Sequence, residues 1–401
     1  MKRIARVMFA ALAALCAAGA AQADTYKIGL IADYTGVFST WGPQFQHAIE
    51  AYQAIHGKSV KGPKGETIDI EMVYRDSASQ GPDKAKQLGE ELILREKVNM
   101  LTGFDLSPHA MAMADLSKQA KIPVVILNAA TSSITRMSPY FVRVSMTTPQ
   151  FVHPMGKYMV DHGMKTAYMI VSDYAPGHDV ETYFGKAFEA AGGKFVGKVR
   201  SPLNNVDFSS YVEKVLQASP KPDALYIFMP AGTPSINLVK AWSERGLKAA
   251  GIKLFGSGET QQIYLKNFTD DVIGTITSNH YTEYNTNPEN VQLRAQLKKM
   301  FGEKEETDIA SVAAWDGIKL IHQALAALGA KADGLKYVEF MASGKTIDSP
   351  RGRFMIDPKE RDVVQDIYIR EVRKVNGVLT NVDIDKAPMV KDPWKADNPM
   401  N

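Results

Sequence analysis

The chain has 401 residues, of which 45% are hydrophobic and 23% are charged, and it carries a single cysteine. This composition excludes a disordered chain and a disulfide-stabilised small domain, and the length suggests two domains. The 47 basic side chains nearly balance the 44 acidic ones, so the charge does not favour a nucleic-acid partner or an anionic membrane surface.

The N-terminal 23 residues have the pattern of a cleaved export signal. Lys2, Arg3 and Arg6 precede an apolar run over residues 7–18, and the small-x-small motif of residues 21–23 predicts cleavage before the following aspartate. The run of about 12 residues is too short to span a bilayer core, which needs ~20. The sequence therefore predicts a signal peptide over residues 1–23 and a periplasmic product.

A lipoprotein is the alternative to a free product, and it would require acylation of Cys16. That cysteine lies inside the apolar run, which disfavours this alternative. Cleavage before Asp24 removes three basic residues, so the product carries 44 basic and 44 acidic residues and no cysteine. Such a product cannot form a disulfide, a thiolate metal site or a cysteine nucleophile.

The first half of the product alternates short apolar runs with stretches of helical periodicity. The pattern predicts strands at residues 27–32, 68–74, 99–103 and 122–127, helices at residues 44–55 and 83–96, and a further helix between the last two strands. Apolar strands that alternate with helices indicate a parallel sheet covered on both faces. The predicted fold class is therefore α/β.

The second half repeats this order of elements. Strands are predicted at residues 167–172, 194–200, 224–229 and 252–255, and helices at residues 177–191, 208–218 and 235–245. The first strand of each half also ends in Asp-Tyr, at residues 33–34 and 173–174. The repeat predicts two doubly wound, Rossmann-like lobes of similar topology.

The C-terminal third adds long helices and extended segments to this scheme. Helices are predicted at residues 288–301 and 309–328, and extended segments at residues 349–356 and 363–372. The polar, proline-containing residues 391–401 are expected to form a surface tail. The patterning alone does not indicate which lobe receives these elements.

Enzyme motifs are missing from the sequence. There is no His-Glu-x-x-His, no Gly-x-Ser-x-Gly and no Gly-x-Gly-x-x-Gly after a predicted strand. His109 follows Ser107 closely and could act as its base, but no neighbouring stretch supplies a third partner to orient it. We therefore predict no catalytic residue, no metal site and no cofactor, and a periplasmic enzyme remains only as an alternative.

Polar loops at the carboxyl ends of the predicted strands are the remaining candidates for a site. In open α/β sheets ligands bind at these ends. The loops comprise Trp41-Gly42, Ser107-Pro108, residues 128–131, residues 173–178 and residues 256–259. Ordinary helix capping is the more frequent explanation of any one such loop.

As a set, these loops resemble a known family. Residues 28–36, Trp41-Gly42, the Tyr-Arg-Asp-Ser of residues 74–77, the Asn-Ala-Ala-Thr of residues 128–131 and Asp173-Tyr174 match the type I periplasmic binding proteins. The resemblance covers the whole product and is greatest to the leucine/isoleucine/valine-binding branch, which serves hydrophobic amino-acid ABC importers. It implies two lobes joined by a three-strand hinge.

The resemblance also implies ligand contacts. Ser107, Ala129 and Thr131 would hold a ligand carboxylate, and Trp41 would cover the ligand. Glu259, or its neighbour Gly258, would pair with an α-ammonium group, and Tyr174 completes the expected set. The second-lobe tyrosine of the amino-acid binders falls near residues 231–232, which are Ala-Gly here. The expected ligand is therefore a branched-chain amino acid or an aromatic carboxylic acid.

The same resemblance divides the chain into lobes. Hinge crossings are expected near residues 145–148, 277–280 and 348–351. The first lobe would comprise residues 24–146 and 279–349, and the second lobe residues 147–278 and 350–401. The protein would be a monomer that closes on its solute and then docks on the membrane permease of an ABC importer. A ligand-sensing module for a chemoreceptor or regulator is the alternative on this scaffold.

Overall fold

The computed structural model describes residues 23–400. The predicted export signal, including Cys16, lies outside the described residues except for its last position. Among the helices that the structure describes, none is long and apolar enough to cross a membrane.

Within residues 23–400 the strands form two sheets. The first sheet has the order β2-β3-β1-β4-β5-β6, and it is parallel except for β2 at its edge. Its strands are β1 (Asp24–Ala32), β2 (Ser59–Lys61), β3 (Thr67–Asp76), β4 (Met100–Gly103), β5 (Val124–Ile126) and β6 (Phe141–Arg143). The helices along this part of the chain are α1 (Trp41–His56), α2 (Pro82–Leu94), α3 (Ser107–Ala112), α4 (Ala114–Ala120) and α5 (Ile134–Met137).

The second sheet has the order β12-β13-β14-β11-β10-β9-β7-β8, with β15 paired to β14. Its strands are β7 (Thr166–Ser172), β8 (Lys194–Ser201), β9 (Ala224–Phe228), β10 (Lys253–Gly256), β11 (Ile276–Asn279), β12 (Thr346–Ile347), β13 (Phe354–Ile356), β14 (Val363–Val375) and β15 (Val378–Val390). Strands β7 to β11 pair in parallel, and β12 to β15 pair antiparallel.

The remaining helices follow in chain order. They are α6 (Thr148–Asp161), α7 (Ala175–Ala190), α8 (Ser209–Leu216), α9 (Thr233–Glu244), α10 (Gln262–Leu265), α11 (Pro288–Phe301), α12 (Ile309–Leu328), α13 (Gly334–Met341) and α14 (Pro393–Asp397). A short 3-10 turn covers Asp270–Val272. We call the six-stranded sheet with its helices the first lobe and the nine-stranded sheet with its helices the second lobe.

Apolar strands covered on both faces form the core of each lobe. In β1, Ile28, Leu30 and Ile31 are fully buried, as the continuous apolar run predicts for a central parallel strand. Gly29 lets α2 approach this strand, because a Cβ atom there would lie 2.8 Å from Leu92 Cδ1. The predicted fold class, α/β with two doubly wound lobes, is confirmed.

The long helices α11 and α12 pack against α1 in the first lobe. Tyr52 meets Trp315 edge to face at 5.0 Å between ring centroids, and Ser311 Oγ donates to Gln44 Oε1 at 2.6 Å. The chain thus leaves the first lobe after β6, returns to it after β11 and leaves it again before β12. Three segments therefore connect the lobes.

Arg351 joins these connecting segments. Its guanidinium is 1% exposed and lies 2.6 Å from the Asp316 carboxylate of α12. It also donates to the backbone carbonyls of Val144 and Ser145 after β6, and to Gln365 Oε1 in β14 at 2.8 Å. The buried guanidinium therefore bonds at once to the connecting segment after β6, to the first lobe and to the second lobe.

The C-terminal segment differs from the sequence expectation in two respects. Strand β15 forms a long hairpin with β14, although no element was predicted over these residues. The predicted surface tail carries α14, in which Lys395 is only 8% exposed and lies 2.9 Å from the Asp362 carboxylate. Most other residues of the segment are exposed or half-buried, as a surface tail requires, but this ion pair anchors it.

Candidate ligand-binding site

A cavity lies between the two lobes, at the carboxyl ends of β4, β5, β9 and β10 and beside β11. The space open to the centre of a water-sized sphere is about 50 Å³. A single buried water needs roughly 10–15 Å³ by this measure, so the cavity suits a small solute and is too small for a peptide. It lies where the sequence predicted a site.

Aromatic side chains from both lobes form the walls of the cavity. Trp41 lines it from the first lobe, and Phe151, Tyr174 and Phe228 line it from the second. The rings of Tyr174 and Phe228 are stacked, with centroids 6.3 Å apart and planes inclined by 15°. Together with Leu106, Met146 and Ile309, these rings favour a flat apolar ligand.

Ser107 brings a hydroxyl donor from the first lobe to the cavity. Its Oγ accepts hydrogen bonds from the backbone amides of Ala130 at 3.0 Å and Thr131 at 3.1 Å. Its own O–H finds no acceptor among the residues that the structure describes. Because Ser107 lines the cavity, this proton is available to an anionic group of a ligand.

A buried ion pair fixes the loop that Ser107 contacts. Arg143 donates to the carbonyls of Ala129 at 2.7 Å and Thr131 at 3.0 Å, and its Nε lies 2.6 Å from Asp362 Oδ1. Burial raises the pKa of Asp362, but Arg143 and Lys395 outweigh it and hold the pKa below its usual value. Sequence reasoning missed this pair, although an arginine within the apolar run of β6 was a signal for a buried cation.

Ala129 and Thr131, two of the sequence-predicted contacts, lie behind the cavity lining. Ala129 is buried, whereas Ala130 faces the cavity. The hydroxyl of Thr131 donates to the Asp179 carboxylate in α7, and the backbone amide of Ser132 donates to the same oxygen at 3.2 Å. In this closed form the Thr131 side chain joins the lobes.

Glu259 also lies behind the lining. Its carboxylate accepts backbone amides from Met229 at 2.9 Å and Ser257 at 2.6 Å. Burial raises its pKa to about 7, against the opposing effect of these hydrogen bonds. Its neighbour Gly258 lines the cavity. Of the six predicted contacts, the structure therefore brings Trp41, Ser107 and Tyr174 to the cavity.

Gln261 and Asn279 are cavity residues that sequence reasoning missed. Gln261 is 1% exposed, and neither its Nε2 nor its Oε1 has a hydrogen-bond partner within the described chain. Asn279 Oδ1 accepts the amide of His280 at 2.8 Å, and its Nδ2 is directed toward the same region as Gln261. No motif surrounds either residue, and only their position after β10 and at the end of β11 was a signal.

Three buried groups beside the cavity have the chemistry of metal ligands. Oxygen atoms of Asp33 and Asp105 and a ring nitrogen of His109 lie within 4.8 Å of one another. Burial first, and then Asp105, raise the pKa of Asp33 to about 7, so one carboxyl group carries a proton near neutral pH.

His109 is turned away from Ser107. Its Nε2 lies 2.7 Å from the Gln80 carbonyl, and its Nδ1 lies 3.4 Å from Asp105 Oδ1. Since a backbone carbonyl can only accept, Nε2 carries a proton. The two residues do not form a nucleophile–base pair in this structure.

Comparison with known proteins agrees with this architecture. A family model described as periplasmic binding protein matches residues 25–377. A Leu/Ile/Val-binding protein homolog 6 from Brucella melitensis is 38% identical over 395 residues, which cover 98% of this chain and 99% of the relative.

Two solved structures extend the similarity to the whole fold. A solute-binding protein of an ABC transporter from R. palustris, in complex with 4-hydroxybenzoate, aligns with a TM-score of 0.89 and 39% identity, covering 94% of this chain and 100% of that one. A solute-binding protein from Rhodopseudomonas palustris BisB5, in complex with 3,4-dihydroxybenzoic acid, aligns with a TM-score of 0.87 and 39% identity, covering 93% and 99%.

Proposed function

This chain belongs to the periplasmic binding protein family, and we propose that it is the solute receptor of an ABC importer that takes up a small aromatic carboxylic acid. The observation that carries the proposal is the interlobe cavity, which combines aromatic walls with a free hydroxyl donor at Ser107. The flat apolar slot matches an aromatic ring, and the donor matches a carboxylate.

An amino-acid ligand fits the cavity less well. Its α-ammonium group would need an acidic partner, and Glu259 has both carboxylate oxygens occupied by backbone amides behind the lining. Asp105 does line the cavity, but its carboxylate lies against His109 and Asp33. An ammonium buried without a partner is strongly disfavoured, so the cavity favours an acid without an amino group.

The similar proteins support the same choice. The two R. palustris relatives at 39% identity hold hydroxylated benzoates, and identity at this level extends over nearly the whole chain. The name of the Brucella relative points to aliphatic amino acids, which the aromatic walls and the position of Glu259 do not favour in this chain.

The transport cycle follows from the two-lobed architecture. After export to the periplasm, a monomer opens at its three connections, admits the acid and closes on it, and the closed form docks on the permease. We assign residues 24–146 and 280–345 to the first lobe and residues 147–279 and 346–401 to the second, because β11 ends at Asn279 and β12 begins at Thr346 in the nine-stranded sheet. Trp41, Ser107 and Tyr174 contact the ligand, while Ala129, Thr131 and Glu259 shape the loops behind it.

We assign no catalytic activity to the cavity. Ser107 lies near His109 in sequence, but Gln80 and Asp105 occupy the ring nitrogens of that histidine. A nucleophilic serine requires a base in hydrogen-bond contact. Recovery of unchanged ligand after prolonged incubation, measured by chromatography, checks this assignment.

Calorimetry on unfolded and refolded, ligand-free protein tests the proposed function. We expect 4-hydroxybenzoate to bind with a stoichiometry of one, and leucine to give no measurable heat. We expect 4-hydroxybenzamide to bind at least tenfold more weakly, because an amide removes the charge that strengthens the hydrogen bond from Ser107. Equal binding of acid and amide, or preferential binding of leucine, would contradict the proposal.

A further inference from the structure

Gln261 presents an amide to the cavity that has no partner within the described chain. The residue is 1% exposed, and both its Nε2 and its Oε1 are buried without a hydrogen bond. Buried polar atoms nearly always have a partner in native proteins, and a buried group without one is costly. Because Gln261 lines the cavity, the cavity's occupant is the natural source of that partner.

The chemistry of the amide restricts the group that can satisfy it. Oε1 only accepts and Nε2 only donates. A carboxylate would satisfy Nε2 and be repelled by Oε1, whereas an ammonium would satisfy Oε1 alone. A hydroxyl group both donates and accepts, so it can satisfy both atoms of Gln261.

A second amide lies beside the first. A Cβ atom built on Gly258 would lie 2.9 Å from Gln261 Nε2 and 3.9 Å from Asn279 Nδ2, so both groups border the space over this glycine. The Oδ1 of Asn279 already accepts a backbone amide at 2.8 Å, which leaves Nδ2 as a donor. The absence of a side chain at Gly258 keeps this space open to a ligand.

Polar groups of both lobes line the cavity. Ser107 offers its donor from the first lobe, and Gln261 and Asn279 offer theirs from the second. A ligand with a carboxylate at one end of a ring and a hydroxyl at the other can therefore hydrogen-bond to both lobes at once. Such a ligand stabilises the closed form directly, because it gains the second set of bonds only on closure.

We infer that Gln261, assisted by Asn279, is a specificity determinant for a ring hydroxyl, so that the receptor selects hydroxylated aromatic acids over unsubstituted ones. This inference rests on the proposed function and narrows it. Sites built to hydrogen-bond a hydroxyl discriminate strongly against analogues that lack it, because the protein group is then left unpaired.

Calorimetry with benzoate and 4-hydroxybenzoate on wild-type protein and Gln261→Leu tests the inference. We expect the wild type to prefer 4-hydroxybenzoate by at least about tenfold, which corresponds to 1.4 kcal/mol. In Gln261→Leu this preference should vanish through loss of affinity for 4-hydroxybenzoate, while benzoate binds as well as before or better. Gln217→Leu, an exposed glutamine remote from the cavity, serves as the matched control and should change neither affinity.

The possible outcomes distinguish failure of this inference from failure of the proposed function. Equal affinity of the wild type for both acids would overturn the inference and leave the proposed function standing. A Gln261→Leu variant that weakens both acids by the same factor would also overturn it, since Gln261 would then only support the fold. Binding of neither acid to the wild type would contradict the proposed function itself, and with it the inference.

Discussion

Ser107 performs two tasks that a mutation can separate. As an acceptor it holds the amides of Ala130 and Thr131, and as a donor it faces the cavity. Simple capping of the loop was the alternative interpretation of this serine in the sequence. Capping predicts an effect on stability alone, whereas ligand contact predicts an additional effect on affinity.

We expect Ser107→Ala to weaken 4-hydroxybenzoate binding by about ten- to a hundredfold, since a hydrogen bond to a charged group contributes about 1.5–3 kcal/mol. It should also lower the free energy of unfolding, because two buried amides lose their acceptor. Ser117→Ala is the control, since Ser117 is buried in the same lobe and bonds to Ala114 and Ser138. If both variants lower stability and neither changes affinity in calorimetry, Ser107 only caps the loop.

The pair formed by Asp33 and Asp105 makes stability depend on pH. The pKa of Asp33 is raised to about 7 in the folded state from its ordinary value of 3.8. A raised carboxyl pKa stabilises the folded state fully at low pH, and this contribution is lost as the pH rises toward 7.

Asp33→Asn should remove that pH dependence, because asparagine resembles the protonated acid and its oxygen can still accept from Ser77 and Ser79. We expect the free energy of unfolding of the variant, relative to wild type, to rise by on the order of a few kcal/mol between pH 5 and pH 8. Urea unfolding at the two pH values measures it. Glu259 and Asp308 also have pKa values raised to about 7, but they titrate in both proteins, so their contributions to the free energy of unfolding cancel in this difference. A constant difference would show that Asp33 is ionised throughout.

At the scale of elements, the central strands could be predicted because each is an unbroken apolar run buried on both faces. Strand β15 could not, since only Thr380 and Asn381 of its residues are buried, and it is ordered by pairing with β14. The loops of the site were predictable as strand ends, but the direction of each side chain was not. The Thr131 hydroxyl bonds to Asp179, which is distant in sequence. The Glu259 carboxylate accepts a backbone amide, which has no sequence signature.

The buried guanidinium of Arg351 holds the connecting segments together, and its partners are also remote in sequence. Arg351 contacts Asp316, Ser145 and Gln365, and no local pattern links these positions. Removal of one member of a buried ion pair leaves an uncompensated charge, which typically costs about 3–5 kcal/mol.

Arg351→Met should therefore lower the free energy of unfolding by about 3–5 kcal/mol in urea denaturation. Arg353→Met is the matched control two residues away, because Arg353 and its partner Asp348 are 78% and 69% exposed. An exposed pair contributes about 0–1 kcal/mol, so this variant should stay close to wild type. Equal losses in the two variants would contradict the role assigned to Arg351.

At the scale of the whole molecule, the structure represents the closed form. Trp41 Nε1 donates across the cleft to the Ala231 carbonyl at 3.2 Å, and the amide of Thr233 donates to the Val37 carbonyl at 3.2 Å. Thr40 Oγ1 and Tyr264 Oη lie 2.9 Å apart across the same cleft. The contact of Thr131 with Asp179 crosses the cleft as well, and a ligand that bonds to both lobes adds to these contacts in the closed form.

Small-angle X-ray scattering of the refolded protein, with and without saturating 4-hydroxybenzoate, tests whether the two lobes close around an aromatic acid. We predict a smaller radius of gyration with the acid, and no change with leucine at the same concentration. An identical scattering profile with the acid, at a concentration that calorimetry shows to be saturating, would contradict closure of the two lobes around an aromatic acid.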